Sequence, residues 1–162
     1  MVGIGYDIHR LVEGRALFLG GVKIDHDQGL TGHSDGDVVL HAVCDALLGA
    51  ANLGDIGMHF PPDDEHYKDI SSTVLLKKVR TFLENSGLLT KNIDVVIIAE
   101  KPKILPYKRR IQETIAHILQ IPENSVSIKG KTNEGIGVLG EGKAIAALAV
   151  CEINPLYASP QG

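Results

Sequence analysis

Two kinds of apolar pattern alternate along this chain. In one, apolar residues recur every three to four positions; in the other, short β-branched and small aliphatic runs are bounded by Gly, Pro, Asn and Asp. The first predicts amphipathic helices and the second strands. Val2 to Ile8 reads as a strand. Ala16 to Leu19 and Val22 to Asp25 flank Gly20-Gly21, a two-residue hairpin connection. Ser34 to Asp37 supplies helix-capping side chains, the Ala/Leu-rich helix Val38 to Ala51 follows, and Asn52 to Gly54 ends it. Gly54 to Asp69 is polar and reads as a loop. Ser71 or Ser72 caps a second helix with Val74, Leu75, Val79, Phe82 and Leu83 at helical spacing. Ile93 to Ala99 is a β-branched run and predicts a buried strand. Pro106 starts a third helix with Ile111, Ile115, Ile118 and Leu119 on one face. Val126 to Lys129 is a short strand, Ala144 to Ile153 an apolar one, and the tail Asn154 to Gly162 is expected to fray. With no repeat or linker, these elements predict a single sheet covered by helices on one face, α/β or α+β.

The 162 residues fit one domain, residues 1–162. Apolar residues are 44% of the chain but aromatics only 4%, with no Trp and 18 Gly, so small aliphatic side chains must fill the core. A net charge of -4 with no basic patch argues against a nucleic acid partner. Cys44 and Cys151 lie in apolar runs, lack the spacing of a Cys-based zinc motif, and read as reduced, buried thiols. No signal-peptide pattern opens the chain, and no apolar run is long enough to cross a bilayer. The expectation is a soluble intracellular protein without a membrane partner, of the bacterial cytoplasm or, after loss of a transit segment, of the plastid stroma.

The chemistry concentrates in a few segments. Asp7 and His9 are separated by one residue, so a strand aims both at the same side. One imidazole from elsewhere, His41 on the first helix, completes a three-ligand metal site with an open fourth position, the mark of catalytic rather than structural zinc. Asp37 and Asp45, four residues either side of His41, share its helical face, and either can fix its tautomer; Asp37 reads equally as a first-turn acid. His26, His59, His66 and His117 read as surface or satisfied core groups. His33-Ser34 precede a helix start, where free N–H groups favour phosphate, although Ser34 and Asp35 also suit plain capping. Gly130 to Gly137 fails as a P-loop, because the first glycine would have to be residue 125, which is Ser125. It still offers Lys131 and Thr132 to phosphate oxygens and Glu134 to a hard divalent cation, or it is a surface turn. The Pro-bounded run Ala99 to Pro106 makes a rigid rim that can face a planar base. Two His and one carboxylate also form the facial triad of non-haem Fe(II) oxygenases, usually on an all-β barrel. A non-catalytic nucleotide-binding scaffold is a third reading.

Gly-Tyr-Asp-Ile-His-Arg from Gly5, His-Ser-Asp-Gly-Asp-Val from His33, His41-Ala42, Asp-Ala-Leu-Leu-Gly-Ala from Asp45, Gly-Asp-Ile-Gly from Gly54, His59-Phe60-Pro61, Pro-Lys-Ile-Leu-Pro from Pro102 and Lys-Thr-Asn-Glu from Lys131 appear in order. Together they resemble the 2-C-methyl-D-erythritol 2,4-cyclodiphosphate synthase family, from Gly5 to about Val150. The resemblance implies an α+β fold: one mainly four-stranded mixed sheet with helices on one face, a small hairpin, and a homotrimer with its sheets around the axis. It implies a lyase of the non-mevalonate isoprenoid pathway, in which the 2-phosphate of 4-diphosphocytidyl-2-C-methyl-D-erythritol 2-phosphate attacks the β-phosphorus and CMP leaves. By the same resemblance Asp7, His9 and His41 hold Zn²⁺, and Glu134 holds Mg²⁺ or Mn²⁺. His33 and Thr132 stabilise the transition state, Ser34, Asp55, Ile56 and Gly57 touch the methylerythritol end, and Phe60 and Asp64 also bind substrate. Ala99, Pro102, Lys103, Ile104, Leu105, Lys131, Thr132, Asn133 and Glu134 form the cytidine and phosphate pocket, with active sites between subunits. The chain departs from the family around Val138 and Glu141: the family's Arg position carries Glu141 and the next acid position Lys143, which puts an isoprenoid diphosphate ligand in the axial channel in doubt. Pro62 stands where some relatives carry an acid, and Asp63 or Asp64 is expected to serve instead.

Overall fold

The computed structural model describes residues 1–61, 63, 67 and 69–156. Strands β1 (Val2–Glu13), β2 (Leu17–Leu19), β3 (Val22–Ile24) and β4 (Gln28–Leu30) come first, then helices α1 (Val38–Ala50), α2 (Ile56–His59) and α3 (Ser72–Asn85). Strand β5 (Leu88–Ile98), helix α4 (Lys108–Leu119), strand β6 (Val126–Lys131), helix α5 (Gly137–Gly140) and strand β7 (Ala144–Pro155) follow. The main sheet has the order β4-β1-β7-β5-β6, with β2 and β3 forming a separate hairpin. Among the described residues only β5 and β6 run parallel, and α4 lies in the crossover that such a pair requires. The expected α+β class with a small hairpin holds. The sheet has five strands rather than four: β4 is three residues on the edge of β1, too short for a period-2 signal. The tail also differs from expectation. Asn154 and Pro155 pair with Leu89 and Leu88 and so extend β7; residues 157–162 lie outside the described residues.

One face of the sheet is the core. Ile93, Val95 and Ile97 of β5 and Ala147, Ala149 and Cys151 of β7 are buried there beneath the helices. Helix α1 lies almost in contact with the β1 backbone. A Cβ on Gly5 would sit 2.0 Å from the Ala42 carbonyl oxygen, and one on Gly3 2.0 Å from that of Ala46. Only glycine permits this approach. The buried Asp37 carboxylate caps α1 through Val39 N and Leu40 N and also accepts from Gly20 N and Gly21 N, so one side chain ties the hairpin to the helix start. Burial pushes its pKa up, and the backbone donors offset this only in part. Both cysteines are free and buried, as expected. Burial raises both thiols, Cys151 to about 11.

The opposite face of β1, β7 and β5 carries an apolar patch. Ile4, Val150 and Asp94 form one cross-strand row; Tyr6, Leu148 and Val96 the next; Ile8, Ala146 and Ile98 the third. Ile4 is 67% exposed and Tyr6 54%, so among the described residues nothing covers this end of the sheet.

Candidate metal centre

Gly5, Asp7 and His9 alternate onto the helix side of β1, and the close approach of α1 sets His41 over Asp7 and His9. Among the described residues, these three form the one cluster of at least three acidic, His or Cys side chains whose ligand atoms converge, all within 4.8 Å of one another. Asp7 Oδ2 lies 2.8 Å from His9 Nε2 and 2.9 Å from His41 Nδ1, and the two ring nitrogens are 3.2 Å apart. A tetrahedral ion with donors at about 2.1 Å has donor–donor edges of about 3.4 Å. The separation of the two ring nitrogens is about 0.2 Å short of that and the two to Asp7 about 0.5–0.6 Å short, as expected of donors drawn together by hydrogen bonds. Two imidazole nitrogens facing each other at 3.2 Å across a shared carboxylate oxygen need a cation or protons between them, so the donor set fits a divalent metal. Burial alone would raise the Asp7 pKa, but the bonds from His41 and His9 outweigh it and hold the carboxyl far below its usual range. Burial opposes protonation of His41; the Asp7 contact wins and raises its pKa.

The neighbours of the far nitrogen of His41 differ from the sequence expectation. Neither Asp37 nor Asp45 touches the ring: Asp37 is occupied by backbone donors, and Asp45 accepts from Ile56 N at 2.8 Å. His41 Nε2 instead lies 3.0 Å from both Ser34 Oγ and Ser72 Oγ. Helical spacing identifies which residues share a face but not how deep that face is buried, and the Asp37 side was already committed to capping.

A cavity of about 310 Å³ opens on this centre. Asp7, His9, His33, Ser34, His41 and Asp45 supply its polar side; Ile56, Gly57, Phe60, Tyr67, Ile70 and Leu75 supply an apolar wall. Of the residues expected near the methylerythritol end, Ser34, Ile56 and Gly57 line it, and so does Phe60, also expected to bind substrate. Asp55 does not, but caps α2 through Met58 N at 2.9 Å. Asp64, Pro62 and His66 lie outside the described residues. The supposed loop containing Asp55 thus includes a four-residue helix. Tyr67, Ile70 and Leu75 gave no chemical signal in the sequence; they are wall residues by position alone. His59 is half-buried and satisfied, bonded at 2.7 Å to the Leu53 carbonyl.

The second group gathers elsewhere. A cavity of about 350 Å³ at the ends of β5 and β6 is lined by Ala99, Glu100, Pro102, Lys103, Ile104, Leu105, Lys108, Gly130, Lys131 and Thr132. Beside it, Thr132 Oγ1 donates to Glu134 Oε1 at 2.9 Å, and Asn133 N donates to Glu100 Oε1 at 2.7 Å. Glu134 is in the left-handed region, with φ 52°. The two cavities have no lining residue in common, so within one chain His33 and Thr132 are not brought together. Val138 and Glu141 lie near the exposed α5 turn, where Glu141 pairs with Lys143 of the same chain.

The sequence matches the model of the YgbB family over residues 1–154. The 2-C-methyl-D-erythritol 2,4-cyclodiphosphate synthase of Agathobacter rectalis is 52% identical over 156 residues, 96% of this chain and 88% of that one. That of Treponema denticola is 54% identical over 151 residues, 93% of this chain and 94% of that one. Among solved structures, the bifunctional IspDF from Campylobacter jejuni superposes with a TM-score of 0.92 at 38% identity; the match covers 95% of this chain and spans 42% of that longer one. A CDP complex of IspF from Plasmodium falciparum gives 0.84 at 37% identity over 96% of both chains. These relatives carry helices and sheet as found here, which removes the all-β barrel of the oxygenase reading. The chain therefore belongs to the YgbB family, whose similar members bear the name 2-C-methyl-D-erythritol 2,4-cyclodiphosphate synthase.

Proposed function

We propose that this protein converts 4-diphosphocytidyl-2-C-methyl-D-erythritol 2-phosphate to 2-C-methyl-D-erythritol 2,4-cyclodiphosphate and CMP, a phosphorus–oxygen lyase step in the cytoplasm of a bacterium. The observation that carries the proposal is the convergence of Asp7, His9 and His41 on one point in a cavity shared with His33 and Ser34. Relatives at about half identity over nearly the whole chain support it.

The chemistry is an intramolecular displacement. An oxygen of the 2-phosphate forms a bond to the β-phosphorus, and the bond from that phosphorus to the bridging oxygen breaks. CMP leaves with the bridging oxygen, so no water is consumed. Such a step needs positioning and charge neutralisation more than covalent help. Asp7, His9 and His41 would hold Zn²⁺ and Glu134 Mg²⁺ or Mn²⁺, which supply Lewis-acid neutralisation of the diphosphate. His33 and Thr132 donate hydrogen bonds to the transferring phosphoryl oxygens. Ser34, Ile56, Gly57 and Phe60 grip the methylerythritol end, and the apolar wall of Phe60, Ile70 and Leu75 excludes water. The rim from Ala99 to Leu105 takes the cytosine, with Lys103, Lys131 and Asn133 toward the phosphates.

The two cavities share no lining residue in one chain, which supports a site in which one substrate touches two copies. The apolar patch of Ile4, Tyr6, Ile8, Val150 and Val96 supports a homotrimer built sheet to sheet around an axis. Phosphorus NMR of the substrate with zinc- and magnesium-loaded protein is expected to show CMP and the cyclic diphosphate. A folded, metal-loaded protein that makes neither overturns the proposal. Mixing His41→Ala with Glu134→Ala chains, each inactive alone, should restore part of the activity; no recovery in verified mixed assemblies overturns the shared site.

A further inference from the structure

Behind the metal centre lies a hydrogen-bonded chain that ends on a carboxylate. Ser72, at the first turn of α3, is fully buried, and its Oγ lies 3.0 Å from His41 Nε2. The same hydroxyl donates to Asp35 Oδ1 at 2.5 Å. Asp35 is held by further donors: Ser72 N reaches Oδ2 at 3.0 Å, and Asp37 N reaches Oδ1 at 3.2 Å. The backbone clasps the two segments as well, with Asp35 N on the Ile70 carbonyl and Asp69 N on the His33 carbonyl. The start of α1, carrying Asp35 and His41, and the start of α3, carrying Ser72, therefore meet in one network across more than thirty residues of sequence.

Proton counting gives this network a direction. An ionised carboxylate only accepts, and a serine hydroxyl has one proton. Ser72 gives that proton to Asp35, so its oxygen has only lone pairs left for His41. Where Nε2 bonds Ser72, it must donate. A neutral imidazole protonated at Nε2 is bare at Nδ1, and Nδ1 is the atom 2.9 Å from Asp7 Oδ2. Ser34 Oγ, at 3.3 Å from Ser72 Oγ and also accepting from Gly36 N, can donate its own proton to Ser72 without conflict.

We infer that Asp35 and Ser72 are positioning residues, which act through His41 by holding it in the tautomer and ring orientation that a metal requires. The inference rests on the metal-centre reading above. Carboxylate partners behind metal-bound imidazoles commonly set ligand geometry, and their loss weakens metal binding by about 10- to 100-fold. Here the carboxylate acts at one remove, through a serine.

Zinc affinity of the full chain, measured by competition with a chromophoric chelator, tests the inference. Ser72→Ala and Asp35→Asn should each lower it by about 10- to 100-fold, whereas Ser34→Ala should change it less than threefold. Nitrogen NMR of the zinc-loaded wild type should show the His41 proton on Nε2, protected from solvent exchange, and Ser72→Ala should lose that protection. Ser72→Ala keeps the Asp35 contact to the backbone of α3, so it remains informative if Asp35→Asn does not fold. Wild-type protein that binds no zinc overturns the metal-centre reading itself. Wild type that binds zinc while Ser72→Ala binds it within twofold overturns the relay alone. So does a full loss in Ser34→Ala with none in Ser72→Ala, which would make Ser34 the acceptor.

Discussion

Replacing Gly5 by Ala should damage both the fold and the metal centre, because α1 rests on the β1 backbone at that point. The added Cβ would meet the Ala42 carbonyl oxygen at 2.0 Å and Ala46 N at 2.7 Å, both backbone atoms of a buried helix. An ordinary carbon–oxygen contact is about 3.3 Å or more, so the helix must retreat by about 1.3 Å. On propensity alone Gly→Ala gains about 0.5–1 kcal/mol. Overpacking against backbone costs about 3 kcal/mol, at the upper end for inserted methyl groups, and wins. For a chain of this size the net of about 2–2.5 kcal/mol is a Tm lower by about 4–10 °C. His41 is the residue before Ala42 and moves with it. If the whole displacement is transmitted, the His9–His41 separation of 3.2 Å grows well past the edge one ion can span. Zinc affinity should therefore drop at least about tenfold, roughly 1.4 kcal/mol. Thermal melts of the metal-free protein and chelator competition measure the two effects separately. A Gly5→Ala protein that melts within about 2 °C of the parent and keeps its zinc affinity refutes the close-approach reasoning.

Four other substitutions or conditions bear on different parts of the structure. Gly49, also in α1 but with nothing within 4 Å of its Cβ position, should behave oppositely: Gly49→Ala should raise stability by about 0.5–1 kcal/mol in the same melts. In the metal-free protein, burial lowers and the Asp7 contact raises the His41 pKa, with a net rise. Its contribution to stability is thus fully present below about pH 6.5 and lost as pH rises through the folded value, a dependence that His41→Ala should abolish in pH-dependent melts. Below the raised His41 pKa the ring is an imidazolium and zinc must displace its Nδ1 proton, so calorimetry in buffers of different ionisation enthalpy should detect proton release that grows as pH falls. Ile4→Glu, on the exposed apolar sheet face, should yield monomers by sedimentation velocity; an unchanged assembly would refute this face as the subunit contact.

Much of the molecule was legible from local pattern. The i, i+2 spacing of Asp7 and His9 places them on one face of any strand, and capping residues located α1 and α3 to within a residue or two. The hairpin at Gly20-Gly21 and the buried strand from Ile93 followed from turn chemistry and β-branching. The short β4, the four-residue α2 and the α5 turn were missed because each is shorter than the window over which a period can be recognised. Asp37 shows a subtler limit. Its position before a helix was clear, but its bonds to Gly20 and Gly21 come from a hairpin whose docking no local pattern encodes.

What the sequence by itself determined was the set of elements and the side each chemical group faces, because side-chain direction repeats with the backbone period. The tertiary structure decided which elements meet. Glycines at 3 and 5 let α1 sink onto β1, and only that contact brings His41 over Asp7 and His9. The same packing set Ser72 and Asp35, rather than Asp37 or Asp45, behind the His41 ring. It also divided the expected site residues between two cavities in one chain. Contacts between residues 34 to 105 positions apart depend on how faces fit in three dimensions, and periodicity along the chain carries no record of that fit.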